Sequence, residues 1–323
     1  MHEDRLTKAC DGNCGDDSPH DSHLTSRWDK DREKWVPVDE GGKDLSFVPG
    51  SVIPAVIDGG TWAACFGLSW TDMMLHDQAQ SARILGRSNQ YVRKQSGTMG
   101  VAAARNEIAA YFFQQDAEWL FMVDADMGFA ADTVDRMVAS AEANEVGILG
   151  ALCFAQKVDP DLTQNVLYAT RYRIQPTLYR YVEVESNGER GFQAITKYRR
   201  DAFQEVAATG AACLLVHRSA LETIGPEPFM PITDPTAGGN GTPRTFSEDL
   251  SFCVRANAAG VRLGVDTSIK TTHYKGGIYL DETAFAMQQE TLIQAKGTQI
   301  ARQAELYMRN RLSPLGLVQE DAP

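Results

Sequence analysis

Trp119-Leu-Phe-Met-Val123, followed at once by Asp124-Ala-Asp126, is the stretch on which the fold turns. Five consecutive apolar residues mark a strand buried on both faces, since a half-exposed strand would alternate. Downstream, Val134, Met137, Val138 and Ala141 recur at i, i+3, i+4 and i+7, the period of an amphipathic helix, with Asp132 placed to cap it. Val146–Phe154 is the next apolar run. Upstream, Ser96-Gly-Thr-Met-Gly100 opens an Ala-rich segment with Val101, Ala104, Ile108 and Tyr111 at helical spacing. Gln90-Tyr-Val-Arg-Lys94 reads as a strand before it, and Thr61-Trp-Ala-Ala-Cys-Phe66 as the first strand, followed by a helix from near Ser69. Strands alternating with helices predict an α/β domain whose mostly parallel sheet is flanked by helices.

The second half is more mixed. Leu178–Val184 and Phe192–Ile195 flank Ser186-Asn-Gly-Glu189, a hairpin signal. Val206–Val216 reads as a strand interrupted at Thr209-Gly210, with a short helix over Ser219–Ile224. Residues 226–245 are rich in Pro and Gly without periodicity, the composition of a mobile lid. A helix begins near Ser247, Val261–Val265 is strand-like, and a long polar helix is predicted from about 281 to 311. The organisation expected is a charged tail over 1–44, a catalytic domain over 45–280 and a helical extension over 281–323.

Of 323 residues, 43% are apolar and 23% charged, as in soluble globular proteins. Lys+Arg 31 against Asp+Glu 43 gives a net charge of −12, of which the tail carries −5 (12 acidic, 7 basic), leaving −7 for the body. That balance argues against general binding to nucleic acid or anionic membranes. No run reaches the roughly 18 apolar residues of a membrane span. The first twenty residues lack the apolar core of an export signal, so a cytoplasmic location is expected, with reduced cysteines. Cys65, Cys153, Cys213 and Cys253 lie in apolar runs. Cys10, Cys14, His20 and His23 are zinc-type ligands without the usual wide gap between pairs.

Four features carry chemistry. Asp124 and Asp126 fall where a buried strand ends, the edge at which open α/β sheets bind ligands, and paired carboxylates suit Mg²⁺ or Mn²⁺. Glu248 and Asp249 open a helix beside a long loop, placed either to complement the helix dipole or to act as a general base. His273 ends a strand-like segment next to Lys275 and two glycines. Arg105 and Asn106 lie near the start of the Ala-rich helix, where a phosphate could sit.

Ala104-Arg-Asn-Glu107, Phe121-Met-Val-Asp-Ala-Asp-Met127, Ala208-Thr-Gly-Ala-Ala-Cys-Leu-Leu-Val-His-Arg218, Ser247-Glu-Asp-Leu250 and Thr272-His-Tyr274, in that order, resemble the GT-A-fold, family-2-like glycosyltransferases. More narrowly, the chain is similar to the compact versions encoded by bacteriophages of actinobacteria, which would put it in a host cytoplasm. The resemblance spans roughly 59–280. It implies a Rossmann-like GT-A sheet and a UDP- or GDP-sugar donor. Asp124, Asp126 and His273 would hold Mn²⁺ or Mg²⁺; Arg105, Asn106, Asp124, Thr209, Gly210 and Lys275 would contact the nucleotide sugar. Asp249 would be the base of an inverting transfer, with Glu248 on sugar or acceptor hydroxyls. Gly59-Gly-Thr-Trp-Ala-Ala-Cys-Phe66 lacks the proline-and-polar nucleotide loop of that group.

Two other readings stand beside it. A nucleotidyltransferase making a nucleotide sugar shares the paired aspartates but calls for a basic Gly-rich loop after the first strand. An inactive carbohydrate-binding protein of the same fold would have no reason to keep both acidic motifs and His273. The acidic body favours a protein or glycan acceptor; Lys197-Tyr-Arg-Arg200 and Arg171-Tyr-Arg173 are the best case for DNA.

Overall fold

The computed structural model of the protein describes residues 25–29, 34–38, 47–84, 92–95, 100–158, 172–294 and 297. In chain order its main elements are β1 (Val48–Asp58), α1 (Ala64–His76), β2 (Val92–Gln95), α2 (Gly100–Phe113), β3 (Ala117–Asp124), α3 (Thr133–Ala143) and β4 (Ile148–Leu152). There follow β5 (Phe203–Glu205), β6 (Cys213–His217), α4 (Arg218–Ile224), α5 (Glu248–Ala258) and β7 (Leu263–Lys270). These strands form one sheet in the order β5-β7-β4-β6-β3-β1-β2. β1, β2, β3, β4 and β7 run one way; β6 and β5 run against them. The sheet is therefore mostly parallel in direction, as expected.

Alternation along the strands makes two apolar layers. Ile53, Ala55, Leu120 and Met122 face Ala104, Ile108 and Phe112 of α2 and Phe252 of α5. Val52, Val56, Phe121 and Val123 face Phe66 and Met73 of α1 and Met137 of α3. β3 is buried on both faces because both layers are filled, which is why it reads as an unbroken apolar run.

The first strand differs from expectation. Thr61–Ala63 is a loop and Ala64–Phe66 the first turn of α1, and the strand is Val48–Asp58, which carries Pro49, Gly50 and Pro54. Pairing with β2 begins at Ala55, so at Pro54 the strand has a described neighbour on one side only. A proline there need remove no ladder bond. Asp132 occupies the N-cap position of α3 without a side-chain capping hydrogen bond. The last helix, α6, is described over 282–294. That falls short of the long helix expected, whose remainder lies outside the described residues. Thr25–Asp29 pairs with Lys34–Val38. Cys10, Cys14, His20 and His23 lie outside the described residues, as do the side chains of Trp28 and Trp35.

The 226–245 segment is tied down rather than left as a free flap. Arg255 donates to the Pro228 and Met230 carbonyls, and Phe229 is buried and stacked on Phe252 at 4.4 Å. Thr233–Asp234 pairs with Arg244–Thr245, and Arg190 holds Asp234.

α2 is closed at its C-terminus by a buried cation. Arg218, 4% exposed, donates to the carbonyls of Phe112 (3.1 Å), Gln115 (2.6 Å) and Ala117 (2.8 Å), with its guanidinium over the Phe112 ring. Burial pulls the Arg218 pKa down, against the opposing charges of Glu222 and Asp116. Arg218→Met keeps much of the stem but takes a donor from three carbonyls, of which that of Phe112 still accepts from Gln115 N. The expected loss is about 2–4 kcal/mol, read as a lower urea midpoint at constant slope.

Candidate active site

The carboxyl ends of β1 and β3 and the first turns of α2 and α5 meet at one edge of the sheet. β3 ends at Asp124, and the chain turns through Ala125 and Asp126 into Met127–Gly128. That short strand pairs with Thr272–Lys275, setting His273 opposite Met127, while Tyr274 N donates to the Asp126 carbonyl at 2.8 Å. Residues far apart in the chain are thereby fixed side by side.

Two clusters result. In the first, Arg105, 3% exposed on the inner face of α2, donates to Glu248 Oε1 at 2.7 Å and to Asp124 Oδ1 at 3.1 Å, and to the Ala211 carbonyl at 3.3 Å. Burial pushes the Asp124 carboxyl above its ordinary value; Arg105 opposes that and the charge of Asp126 adds to it.

In the second, Asp126 Oδ2 takes Lys275 Nζ at 2.6 Å, and Asp126 Oδ1 lies 3.2 Å from His273 Nε2. Burial raises the Asp126 carboxyl, but His273 and Lys275 outweigh it, leaving it below its usual range.

His273 is 7% exposed, and its Nδ1 lies 2.9 Å from the Phe154 carbonyl. A carbonyl only accepts, so Nδ1 carries the proton and, in the neutral ring, Nε2 presents a lone pair. His273 Nε2 and Asp126 Oδ1 are both buried without a hydrogen-bond partner. In that form two acceptors face each other and repel, so either a proton on Nε2, which makes the contact an ion pair, or a metal cation must join them. Ligand atoms at right angles on an ion with bonds of about 2.1–2.2 Å lie about 3 Å apart, so this donor pair fits a small divalent cation.

Among the described residues, no three His, Cys, Asp or Glu side chains converge as a ready metal cluster. Asp124 is engaged by Arg105 at 3.1 Å.

The other expected residues fall as follows. Asp249 Oδ1 accepts from Leu250 N at 2.8 Å and pairs with Ser247 Oγ. Burial, with the nearby charge of Asp249 added, raises the pKa of Tyr179. Asn106 Oδ1 accepts from Phe229 N at 2.8 Å, tying α2 to the 226–245 segment. The Asn106 side chain also lines a cleft of about 870 Å³ on the outer side of α2. Thr209 is buried, and a Cβ on Gly210 would meet Thr177 at 3.1 Å. Close packing beside Thr177 already calls for a glycine there.

Sequence reasoning missed Asp58 and Trp62. Asp58, fully buried at the end of β1, accepts from Gly60 N at 2.6 Å and Trp62 Nε1 at 2.7 Å. Trp62 stays 40% exposed with its ring against Phe66 and Trp70, and the next residue, Ala63, donates its N–H to the Ala125 carbonyl in the Asp124–Asp126 turn. An Asp ending an apolar run before Gly59-Gly60 was the available signal.

No family model matches the chain, and no curated protein matches it. Among solved structures it is similar to A197 from STIV, at 16% identity and TM-score 0.43, covering 72% of this chain and 90% of that one. It is also similar to GalNAc-T7 solved with UDP, GalNAc and Mn²⁺, at 10% identity and TM-score 0.42, covering 79% of this chain and 47% of that one. The chain thus spans about half the length of GalNAc-T7. Both likenesses are too distant to transfer a function. Among the described residues, no helix is long and apolar enough to cross a membrane.

Proposed function

We propose that this chain is a metal-dependent glycosyltransferase that moves a sugar from a nucleotide-sugar donor to an acceptor hydroxyl. The observation that carries the reading is the facing pair of buried, unpartnered ligand atoms, Asp126 Oδ1 and His273 Nε2, at 3.2 Å. Asp126 and His273 would hold Mn²⁺ or Mg²⁺, joined by Asp124 once it turns from Arg105. When bound, the cation would neutralise charge developing on the departing diphosphate.

The remaining roles belong to the chain itself. Trp62 offers a flat, exposed ring for the nucleobase, held in place by Asp58. Arg105 ties Asp124 to Glu248, joining the turn after β3 to the start of α5, until Asp124 turns to the cation. Asp249 is the base of an inverting transfer. Its Oδ1 is engaged, and Oδ2 has no hydrogen-bond partner among the described residues, which leaves that oxygen to take the acceptor's proton. Glu248 serves sugar or acceptor hydroxyls through the carboxylate oxygen that Arg105 does not hold.

The acceptor is a protein or glycan rather than DNA. In the 197–200 patch, Arg200 pairs with Glu282 at 3.6 Å, and nearby Lys270 pairs with Asp201 and Glu282. Such mixed-sign surface releases few counterions from a polyanion. The narrower likeness to phage enzymes and a cytoplasmic location rest on sequence alone.

The test is a screen of nucleotide sugars with Mn²⁺, reading nucleoside diphosphate released by slow hydrolysis. Asp249→Asn is expected to lower the rate roughly 10²–10⁴-fold with donor binding kept. Pyrophosphate as product would instead identify a nucleotidyltransferase, and silence across all donors a binding protein.

A further inference from the structure

Resting on the metal reading above, we propose that Lys275 is a displaceable counter-ion built into the site, which holds Asp126 toward His273 and must leave that carboxylate before a divalent cation can settle. His273 and Lys275 stand two apart on Thr272–Lys275 and point to the same face, so both reach the one carboxylate. Lys275 Nζ takes Oδ2 at 2.6 Å, and the carboxylate cannot rotate without breaking that bond. The other oxygen is thereby kept on His273.

An ammonium cannot finish the site. Its bond goes to Oδ2 alone, so among the described residues Oδ1 and His273 Nε2 stay without a hydrogen-bond partner. A divalent ion satisfies both and brings twice the charge. At 44% exposure the Lys275 side chain has open solvent to move into. The device trades affinity for order: the carboxylate is pre-aimed, and the entering ion must outcompete a tethered one. Two cations competing for one carboxylate are coupled in binding, by the 5–150-fold typical of linked sites, and a half-exposed lysine belongs at the lower end.

The experiment uses Mn²⁺ alone, with free ion counted by electron paramagnetic resonance, on the full-length parent, Lys275→Gln and Asp126→Asn. The expected result is that Lys275→Gln binds Mn²⁺ about tenfold more tightly than the parent, while Asp126→Asn loses the site. If Asp126→Asn loses binding but Lys275→Gln is unchanged or weaker, Lys275 is not the competing ion and the metal reading stands. If Asp126→Asn binds as the parent does, or the parent itself binds no Mn²⁺, the metal reading falls and the counter-ion role with it.

Discussion

Arg105→Met is expected to abolish turnover and to lower stability by about 3–5 kcal/mol, the range for breaking a buried ion pair from one side. The guanidinium is almost wholly enclosed and is the shared partner of Asp124 and Glu248. Without it two carboxylates face a low-dielectric pocket together, and the Ala211 carbonyl loses a donor. Arg105→Lys fares little better, because a single ammonium cannot span both carboxylates as the planar fork does. The double variant Arg105→Met/Glu248→Gln separates charge from packing: it is expected to regain part of the lost stability and none of the activity. Chemical denaturation alongside nucleotide-sugar hydrolysis reads both. Equal stability of the single and double variants would show that lost packing, not the uncompensated carboxylates, is responsible.

Asp126→Ala is expected to do the reverse, leaving the fold and removing the chemistry. Its carboxylate is partly exposed on a turn, and its pair with half-exposed Lys275 is worth at most about 1 kcal/mol. The melting midpoint should therefore move little. Turnover should fall on the order of 10³-fold or more, since a metal's charge stabilisation amounts to several kcal/mol. The parent should respond to added Mn²⁺ and the variant should not. An Asp126→Ala protein that keeps its rate would remove this residue from the mechanism.

The parts legible in the sequence were those where one principle acted alone. Trp119–Val123 could be nothing but a doubly buried strand, and α3 and the hairpin at Ser186–Glu189 followed from period and turn chemistry. Asp124, Asp126, His273 and Lys275 could be picked out because strand ends collect ligand-binding side chains. The first strand was hidden because Pro49, Gly50 and Pro54 are breakers whose cost depends on which neighbour is present, and pattern does not reveal neighbours. With that strand unseen, Asp58 and Trp62 had no context. Nor could spacing show that Arg105 would claim both Asp124 and Glu248, since a pairing across 143 positions is a property of topology. That a Cβ at Gly210 would press on Thr177 at 3.1 Å was likewise invisible in the sequence, since the two lie 33 positions apart.

The hydrogen bond from Tyr274 N to the Asp126 carbonyl has a meaning for how the molecule is assembled. It closes a loop of nearly half the chain, so it forms late, after the strands between have found their partners. A nascent chain that has emerged as far as α4 already carries Arg105, Asp124 and Asp126, but it lacks Glu248 to share the guanidinium and His273 to face the carboxylate. Until the last strands dock, those three side chains are a loose acidic-basic patch with no special claim on a metal. Once the closing strand is in place, any ion that settles there ties together Asp126 and His273, distant in sequence, and stabilises the folded chain by mass action.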